Sequence, residues 1–377
     1  MTIAAVHVHR LVAPLHTPFV TALAHLTHVS TVVVEIVDRD GRSGFGEAPE
    51  VWTVTGSSLA SSEACVTEAF APLLIGRNAD DLVENCRRVS RAVIGNEPAK
   101  AAVDIALHDL AAVRLGVPLV RLLGGSRLVV PTDVSLAAGT VDSLATAAKS
   151  RAAEGFDVLK VKVGTDAATD VNRVTAVRQA VGPEVRIRLD ANQGWTPREA
   201  VRVIRSLEDA GMGVEFVEQP VNYRDMEGLA WVSDRVETPI MADESVFDVH
   251  DLVEVIRRRA ADLINVKLAK SGGLSAARTL LELTRAQGMG TILGSMLETE
   301  IGTGAAASLV AAYGTTMVSD LDAVWWLQRP AVVGGMRYQG AAVVLPDAPG
   351  LGISGLVAAE AREATEARTS GDEHGRL

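Results

Sequence analysis

From residue 128 onward the hydrophobic pattern alternates between two periods. Short apolar or β-branched runs occupy Val129–Leu136, Val158–Val163, Val185–Asp190, Val214–Glu218, Pro239–Asp243, Leu263–Leu268, Thr291–Ser295 and Thr316–Leu321. Helix-like stretches such as Arg198–Ala210 and Leu274–Gln287 lie between them, the latter followed by Gly288, a fitting C-cap. The strand starts fall roughly 24 to 29 residues apart, the spacing of strand–helix units in a parallel sheet. Eight such units predict an α/β fold with a (β/α)8-type barrel. A doubly wound open sheet is the alternative, because strand number alone does not close a ring.

The first 125 residues read differently. The run Thr31–Val37, a turn at Asp40-Gly41 and a continuation over Ser43–Glu47 predict a hairpin. Three helical stretches follow, at about Ser58–Leu74, Ala79–Val93 and Pro98–Leu115. Strands followed by helices indicate a separate α+β unit over residues 1–125, ahead of a barrel over 126–330. After Pro330 the alternation stops. Residues 331–358 carry one strand-like run near Ala341–Leu345 and are placed to return onto the first unit, and 359–377 form a polar tail.

Composition narrows the partners. With 48% hydrophobic and 22% charged residues, the 377-residue chain can bury a large core, which excludes general disorder. Its net charge of −11 without basic blocks argues against nucleic acid or an anionic membrane as partner. Two cysteines, Cys65 and Cys86, exclude a disulfide scaffold and a cysteine-based zinc site. No apolar run of about 18 residues and no secretory leader is visible, so a cytoplasmic address is expected.

The decisive feature is where the charges fall. Barrel strands should be apolar, yet nearly every predicted strand carries ionisable residues at its C-terminal end, where barrel enzymes place their chemistry. Strand two has Lys160 and Lys162. The next three end at Asp190, Glu218 and Asp243. Strand six carries Asn265 and Lys267, strand seven is followed by Glu298, and strand eight ends in Asp320-Leu321-Asp322. The two-residue period puts Lys160 with Lys162, and Asp320 with Asp322, on single faces. Three carboxylates on consecutive strands form an oxygen-only donor set that suits Mg2+ better than Zn2+. Lysines on opposite sides of the ring can act on opposite faces of one carbon, with a nearby cation drawing their pKa values toward the useful range.

These segments resemble the enolase superfamily, muconate-lactonising subgroup. The matching motifs are Leu159–Gly164 (LKVKVG), Arg188–Trp195 (RLDANQGW), Val217–Pro220 (VEQP), Met241–Ser245 (MADES), Leu263–Gly273 (LINVKLAKSGG) and Gly294–Glu298 (GSMLE). Gly44–Pro49 (GFGEAP) and a PGLGI segment near the C-terminus extend the resemblance over nearly the whole chain. It implies an enolase-like modified barrel under a capping domain (1–125, completed by about 331–358). It implies one Mg2+ per subunit on Asp190, Glu218 and Asp243, with Lys162 and Lys267 as the acid/base pair. Lys160 would help hold the substrate carboxylate, and the intermediate would be an enediolate. Homo-oligomers are common among similar enzymes.

Asp320-Leu321-Asp322 resembles the Asp-x-Asp motif of dipeptide epimerases, whose carboxylates bind the substrate α-ammonium. Two adjacent carboxylates would also repel an N-succinyl or muconate substrate. The implied reaction inverts the α-carbon of the C-terminal residue of an L,L-dipeptide. Ser135, Met296 and Glu298 are further expected substrate contacts. The Ala-Glu members carry an arginine just after a Thr-Ala-Leu segment, where this chain has Ala24, so an Ala-Glu substrate is not expected. The capping segment offers His25, His28, Glu50, Trp52 and Val54 instead. A hydrophobic second residue is the first expectation, with a cationic one left open by Glu50.

Other reactions begin from the same enediolate: racemisation of an N-acylamino acid, cycloisomerisation, or dehydration of a hydroxyproline derivative. Trp325 and Trp326, placed after the Asp-x-Asp pair, pack at the barrel rim or form an aromatic wall for a cation such as proline betaine. A catalytically silent barrel is the reading from a different class. A nicotinamide site is disfavoured, because Gly288-Met289-Gly290 lacks the third glycine of the dinucleotide motif, and no Walker A motif occurs.

Overall fold

The computed structural model describes residues 2–357, so the expected polar tail lies outside the described residues. The chain opens with an antiparallel sheet of three strands, β1 (Ile3–Val20), β2 (His25–Asp38) and β3 (Ser43–Pro49), in the order β1-β2-β3. The hairpin expected at Thr31–Glu47 is the β2–β3 pair, with Thr31 opposite Pro49. The long β1 was not evident in the pattern. Its pairing with β2 breaks between Pro14 and Phe19, where five steps along β1 match two along β2, from His28 to Leu26. The excess residues bulge toward the barrel.

The three expected helices are present. The first, predicted over Ser58–Leu74, is α-helical over Leu59–Ala64, opens into a π-turn at Cys65–Phe70 and closes as α over Ala71–Leu74. Ser58 caps it, and Ser61 returns the bond to the cap backbone. Leu82–Ala92 and Glu97–Leu115 follow. The last of these lies directly on β3. A Cβ at Gly46 would meet the Ala102 carbonyl and one at Gly44 the backbone at Ala106 and Leu110, so the glycines of GFGEAP admit a helix lined with Ala99, Ala102 and Ala106.

The second unit is a parallel sheet of β5 (Val134–Leu136), β6 (Val158–Lys162), β7 (Arg186–Asp190), β8 (Val214–Glu218), β9 (Ile240–Ala242), β10 (Leu263–Lys267) and β11 (Gly290–Gly294), paired in sequence order. The first predicted strand is thus split. Its N-terminal part, β4 (Val129–Pro131), joins a small antiparallel sheet instead. The eighth, Thr316–Leu321, is an extended segment rather than a ladder strand. It closes the ring through single parallel bridges, Gly294 to Asp320 on one side and Thr132 to Ser319 on the other. The open doubly wound sheet is thereby excluded.

Helices cover the outer face and the inner face is layered. Phe216, Met241, Leu263 and Ile292 form an apolar plug at the bottom. Above it lies Arg188, fully buried, with its guanidinium 4.8 Å from the Phe216 ring centroid. It donates to Asp133 Oδ2 (2.9 Å), Glu215 Oε2 (2.6 Å) and the Val318 carbonyl (2.7 Å).

After Pro330 the chain forms β12 (Val332–Gly334), β13 (Arg337–Tyr338), β14 (Ala342–Val344) and β15 (Ile353–Leu356). β14 pairs with both β13 and β4, and β12 with β15. This segment reaches the first unit. Asp109, on the helix Glu97–Leu115, accepts from Phe45 N of β3 (2.7 Å) and from Leu351 N (2.6 Å). Burial raises the Asp109 carboxyl to about 7.

Candidate active site

The parallel register builds the site. Lys160 stands opposite Ser135 and Arg188, Lys162 opposite Asp190, and Asp190 opposite Glu218. Lys267 stands opposite Gly294. A Cβ on Gly294 would lie 2.7 Å from Asn265 Oδ1 and 3.1 Å from Lys267 Cε, so a glycine there leaves room for both side chains. Because each residue falls on the inward phase of its strand, the ionisable groups converge above the Arg188 layer.

Asp190, Glu218 and Asp243 are all buried and come from neighbouring strand ends. Lys162 Nζ donates to Asp190 Oδ2 at 2.6 Å, and Lys267 Nζ to Asp243 Oδ2 at 2.7 Å. Lys160 bonds Asp320 and lies 3.3 Å from Glu218 Oε2 and 3.6 Å from Asp190 Oδ2. Asn265 Nδ2 donates to Glu218 Oε1 at 2.6 Å. Burial drives Glu218 up to about 7, with repulsion from Asp190 adding to it. For Asp190 and Asp243 burial is outweighed by the lysines, and both carboxyls sit below the usual range. Lys267 is pulled down by burial but raised overall by Asp243 and Glu218.

The donor set fits Mg2+: three hard oxygen ligands from neighbouring strand ends, already desolvated, of which Glu218 is raised by burial and by repulsion from Asp190. Next to Asp243, the buried Glu244 has an Oε2 without a partner, and burial followed by repulsion from Asp243 pushes its carboxyl up to about 8.

A cavity of about 260 Å3 opens above these groups. Lys162, Lys267, Asp243, Asp320, Asp322 and Ser135 form its floor side, and Ser295, Met296 and Leu297 one wall. The far wall comes from the first unit: Phe19, Leu23, Ala24 and Leu26 around the turn closed by Thr21 N to the Ala24 carbonyl (2.9 Å), together with His28, Glu50, Trp52 and Val54. Trp52 is 64% exposed. Glu50 Oε1 accepts from Leu59 N at 3.0 Å, so part of its capacity is committed to the helix start at Leu59.

Three expected residues lie elsewhere. His25 does not line the cavity, because the inward phase at that end of β2 belongs to Leu26 and His28. Glu298 is buried behind the wall, where its Oε1 accepts from Met296 N (3.1 Å). Burial, then the neighbouring Glu47, raises its carboxyl to about 8. Lys160 lies beneath the cavity floor, tied to the carboxylates. Neither Trp325 nor Trp326 lines the cavity, and the Trp325 face is covered by Arg151 at 4.2 Å.

Three residues were not singled out from the sequence. Asn192 lines the cavity and donates to Glu244 Oε1 at 3.2 Å. Glu244 itself is the second. Lys270, fully buried, lies 2.6 Å from Asp243 Oδ1 and donates to the carbonyls of Asp243, Val246 and Asn265. Their signals were proximity: two residues past Asp190, one past Asp243, three past Lys267.

Among the described residues, Cys86, Asp104 and His108 are also drawn together. His108 Nδ1 donates to its own helix carbonyl at Asp104 (2.8 Å), and Asp104 accepts from Ser275 N and Oγ. That cluster joins the two units and is not assigned to chemistry.

Comparison with known proteins agrees with this geometry. Residues 3–124 match the mandelate racemase / muconate lactonizing enzyme N-terminal domain, and residues 143–356 the enolase C-terminal domain-like family. The chain is 41% identical to the L-Ala-D/L-Glu epimerase of Bacillus subtilis, over 94% of this chain and 97% of that one. It is 40% identical to the hydrophobic dipeptide epimerase of Enterococcus faecalis, over 94% of this chain and all of the other. The solved dipeptide epimerase of Enterococcus faecalis V583, complexed with Mg and L-Leu-L-Tyr, superposes with a TM-score of 0.90 at 38% identity, covering 94% of this chain and 100% of that one. The chain belongs to the mandelate racemase / muconate lactonizing enzyme family of the enolase superfamily and is an isomerase.

Proposed function

We propose that the chain is a Mg2+-dependent dipeptide epimerase that inverts the α-carbon of the C-terminal residue of an L,L-dipeptide. The observation that carries this is the combination, in one cavity, of two lysines held by different carboxylates and the buried pair Asp320 and Asp322. The capping unit is taken as 1–125 with 331–358, and the catalytic barrel as 126–330.

Asp190, Glu218 and Asp243 would hold one Mg2+, which supplies positive charge where the substrate carboxylate gains electron density as the enediolate forms. Lys162 and Lys267 reach the cavity from β6 and β10, which are separated by three strands, so each addresses its own face of an α-carbon held between them. One removes the proton and the other returns a proton on the opposite face, a 1,1-proton transfer. Lys160, beneath them, offsets the carboxylate charge. Asp322 and Asp320 receive the α-ammonium.

The pocket for the second side chain is bounded by Leu23, Ala24, Leu26, Val54, Met296 and Leu297. No cation stands at Ala24 to pair a side-chain carboxylate, so a glutamate there would be buried at a cost. A hydrophobic second residue fits. A cationic residue facing Glu50 is the second reading, weakened by the bond that Glu50 already accepts from Leu59 N.

The test is mass spectrometry of L,L-dipeptide pools incubated in D2O with enzyme and Mg2+, with N-succinyl amino acids and proline betaines as separate pools. One deuterium at the C-terminal α-carbon of hydrophobic dipeptides, abolished by EDTA and by Lys162→Ala or Lys267→Ala, is the expected result. Exchange confined to another pool would keep the proton-transfer chemistry and overturn the assignment of Asp320 and Asp322.

A further inference from the structure

Trp326 lies outside the cavity, yet it touches two of its parts. Its Nε1 donates to Asp322 Oδ2 at 3.1 Å. The same oxygen accepts from Ser135 N at 2.7 Å, so both protein donors fall on Oδ2 and Oδ1 is the oxygen left for a ligand. On its other side the indole receives the bulged part of β1. His16 stacks on it at 5.6 Å with planes 11° apart, and Phe19 meets it edge-on at 4.8 Å.

The surrounding backbone holds that contact. His16 Nε2 donates to the Trp325 carbonyl at 3.2 Å, Leu15 bridges Leu327, and Gln328 N donates to the Pro14 carbonyl at 2.9 Å. Phe19 lines the cavity, and Lys162 Nζ lies 5.7 Å from its ring centroid. The register break between Pro14 and Phe19 supplies the extra residues that let β1 reach the indole.

We propose that Trp326 is a positioning residue that couples the ammonium-binding carboxylate Asp322 to the capping hairpin over residues 14–26. Its N–H fixes the rotamer of Asp322, and its ring seats the hairpin that walls the pocket. Ligand held by Asp322 and hairpin held in place are then two ends of one side chain. This rests on the dipeptide reading for the identity of the ligand, but the link itself is a property of the free protein.

Two measurements test it. The first is hydrogen exchange of residues 14–26 and 133–136 without substrate, in wild type, Trp326→Ala, Trp326→Phe and His16→Ala. Trp326→Ala is expected to speed exchange in both segments and His16→Ala in the hairpin alone. Trp326→Phe, which keeps a ring but no N–H, should leave the hairpin protected and speed residues 133–136. Exchange in Trp326→Ala that matches wild type in either segment overturns the proposal.

The second is steady-state kinetics with a free and an N-acetylated dipeptide. Losing a hydrogen bond to a charged group predicts a rise of about 10-fold in KM for the free dipeptide in Trp326→Phe, with kcat nearly kept. The preference over the acetylated form should fall by a similar factor. A fall in kcat with KM unchanged would assign Trp326 a merely structural role. Inactivity of wild type on every dipeptide would instead overturn the proposed function, and the exchange data would still decide the link.

Discussion

Replacing Arg188 by methionine is expected to destabilise the barrel more than any surface change, and the size follows from what surrounds it. The guanidinium and Asp133 are both fully buried, so removing the cation leaves a carboxylate without compensation. Breaking one side of a buried pair costs about 3–5 kcal/mol. The Val318 carbonyl also loses its donor, worth about 1–3 kcal/mol more. Glu215 is 18% exposed and rehydrates, so its contribution is under about 1 kcal/mol. Proton uptake by Asp133, whose carboxyl burial and Asp320 already raise well above its usual range, limits the total to about 4 kcal/mol. The double variant Arg188→Met/Asp133→Leu removes both charges and should recover about 2 kcal/mol of that loss. Urea unfolding followed by circular dichroism, at pH 8 and pH 5, reads both effects. The single variant should lose less at the lower pH, because burial and the neighbouring Asp320 favour the neutral form of Asp133. A loss below about 1 kcal/mol, or a double variant no more stable than the single one, would refute the assignment of Arg188 as the charge that compensates buried Asp133.

Asp109 gives a pH dependence. Its carboxyl binds its proton more tightly in the folded state, so folding stability falls as pH rises from about 4 to about 7 and is flat above. At about 1.4 kcal/mol per pH unit the span is about 4 kcal/mol, and Asp109→Asn should lack that slope when unfolding midpoints are compared across the range. An unchanged slope would refute it. Gly294→Ala places a methyl against Asn265 and Lys267, and a displaced lysine should lower kcat about 10-fold or more while the far-ultraviolet spectrum stays native. Full activity would mean that the β10 side chains move aside freely.

The inward phase of the strands made most of the site legible. Lys160, Lys162, Asp190, Glu218 and Lys267 are charges in apolar strands, and a two-residue period is enough to bring them together. What sequence spacing could not show is which charges pair. Lys160 satisfies carboxylates below the floor and does not reach into the pocket, and Glu298 turns behind the wall to meet the Met296 amide, because both depend on side-chain direction after a strand end. β1 was missed because His16, Pro14 and Pro18 break the alternation at the point where its pairing with β2 is interrupted. The eighth strand was legible as an apolar run, but its two single bridges reflect tertiary closure that no local pattern carries. Asn192 and Glu244 sit on turns and Lys270 in the short helix Leu268–Ser271, all past a strand end, where residue type alone does not separate a site from its surroundings.

The bond from Leu351 N to Asp109 has a consequence for how the molecule is made. Its two ends lie 242 residues apart. On the ribosome the first sheet and its helices emerge long before their last partner. They must wait through synthesis of the entire barrel with one acceptor of Asp109 unmatched. The lid over the pocket is therefore finished last although most of it is translated first. A premature stop ahead of Leu351 would remove a partner of the first unit although every residue of that unit had been made.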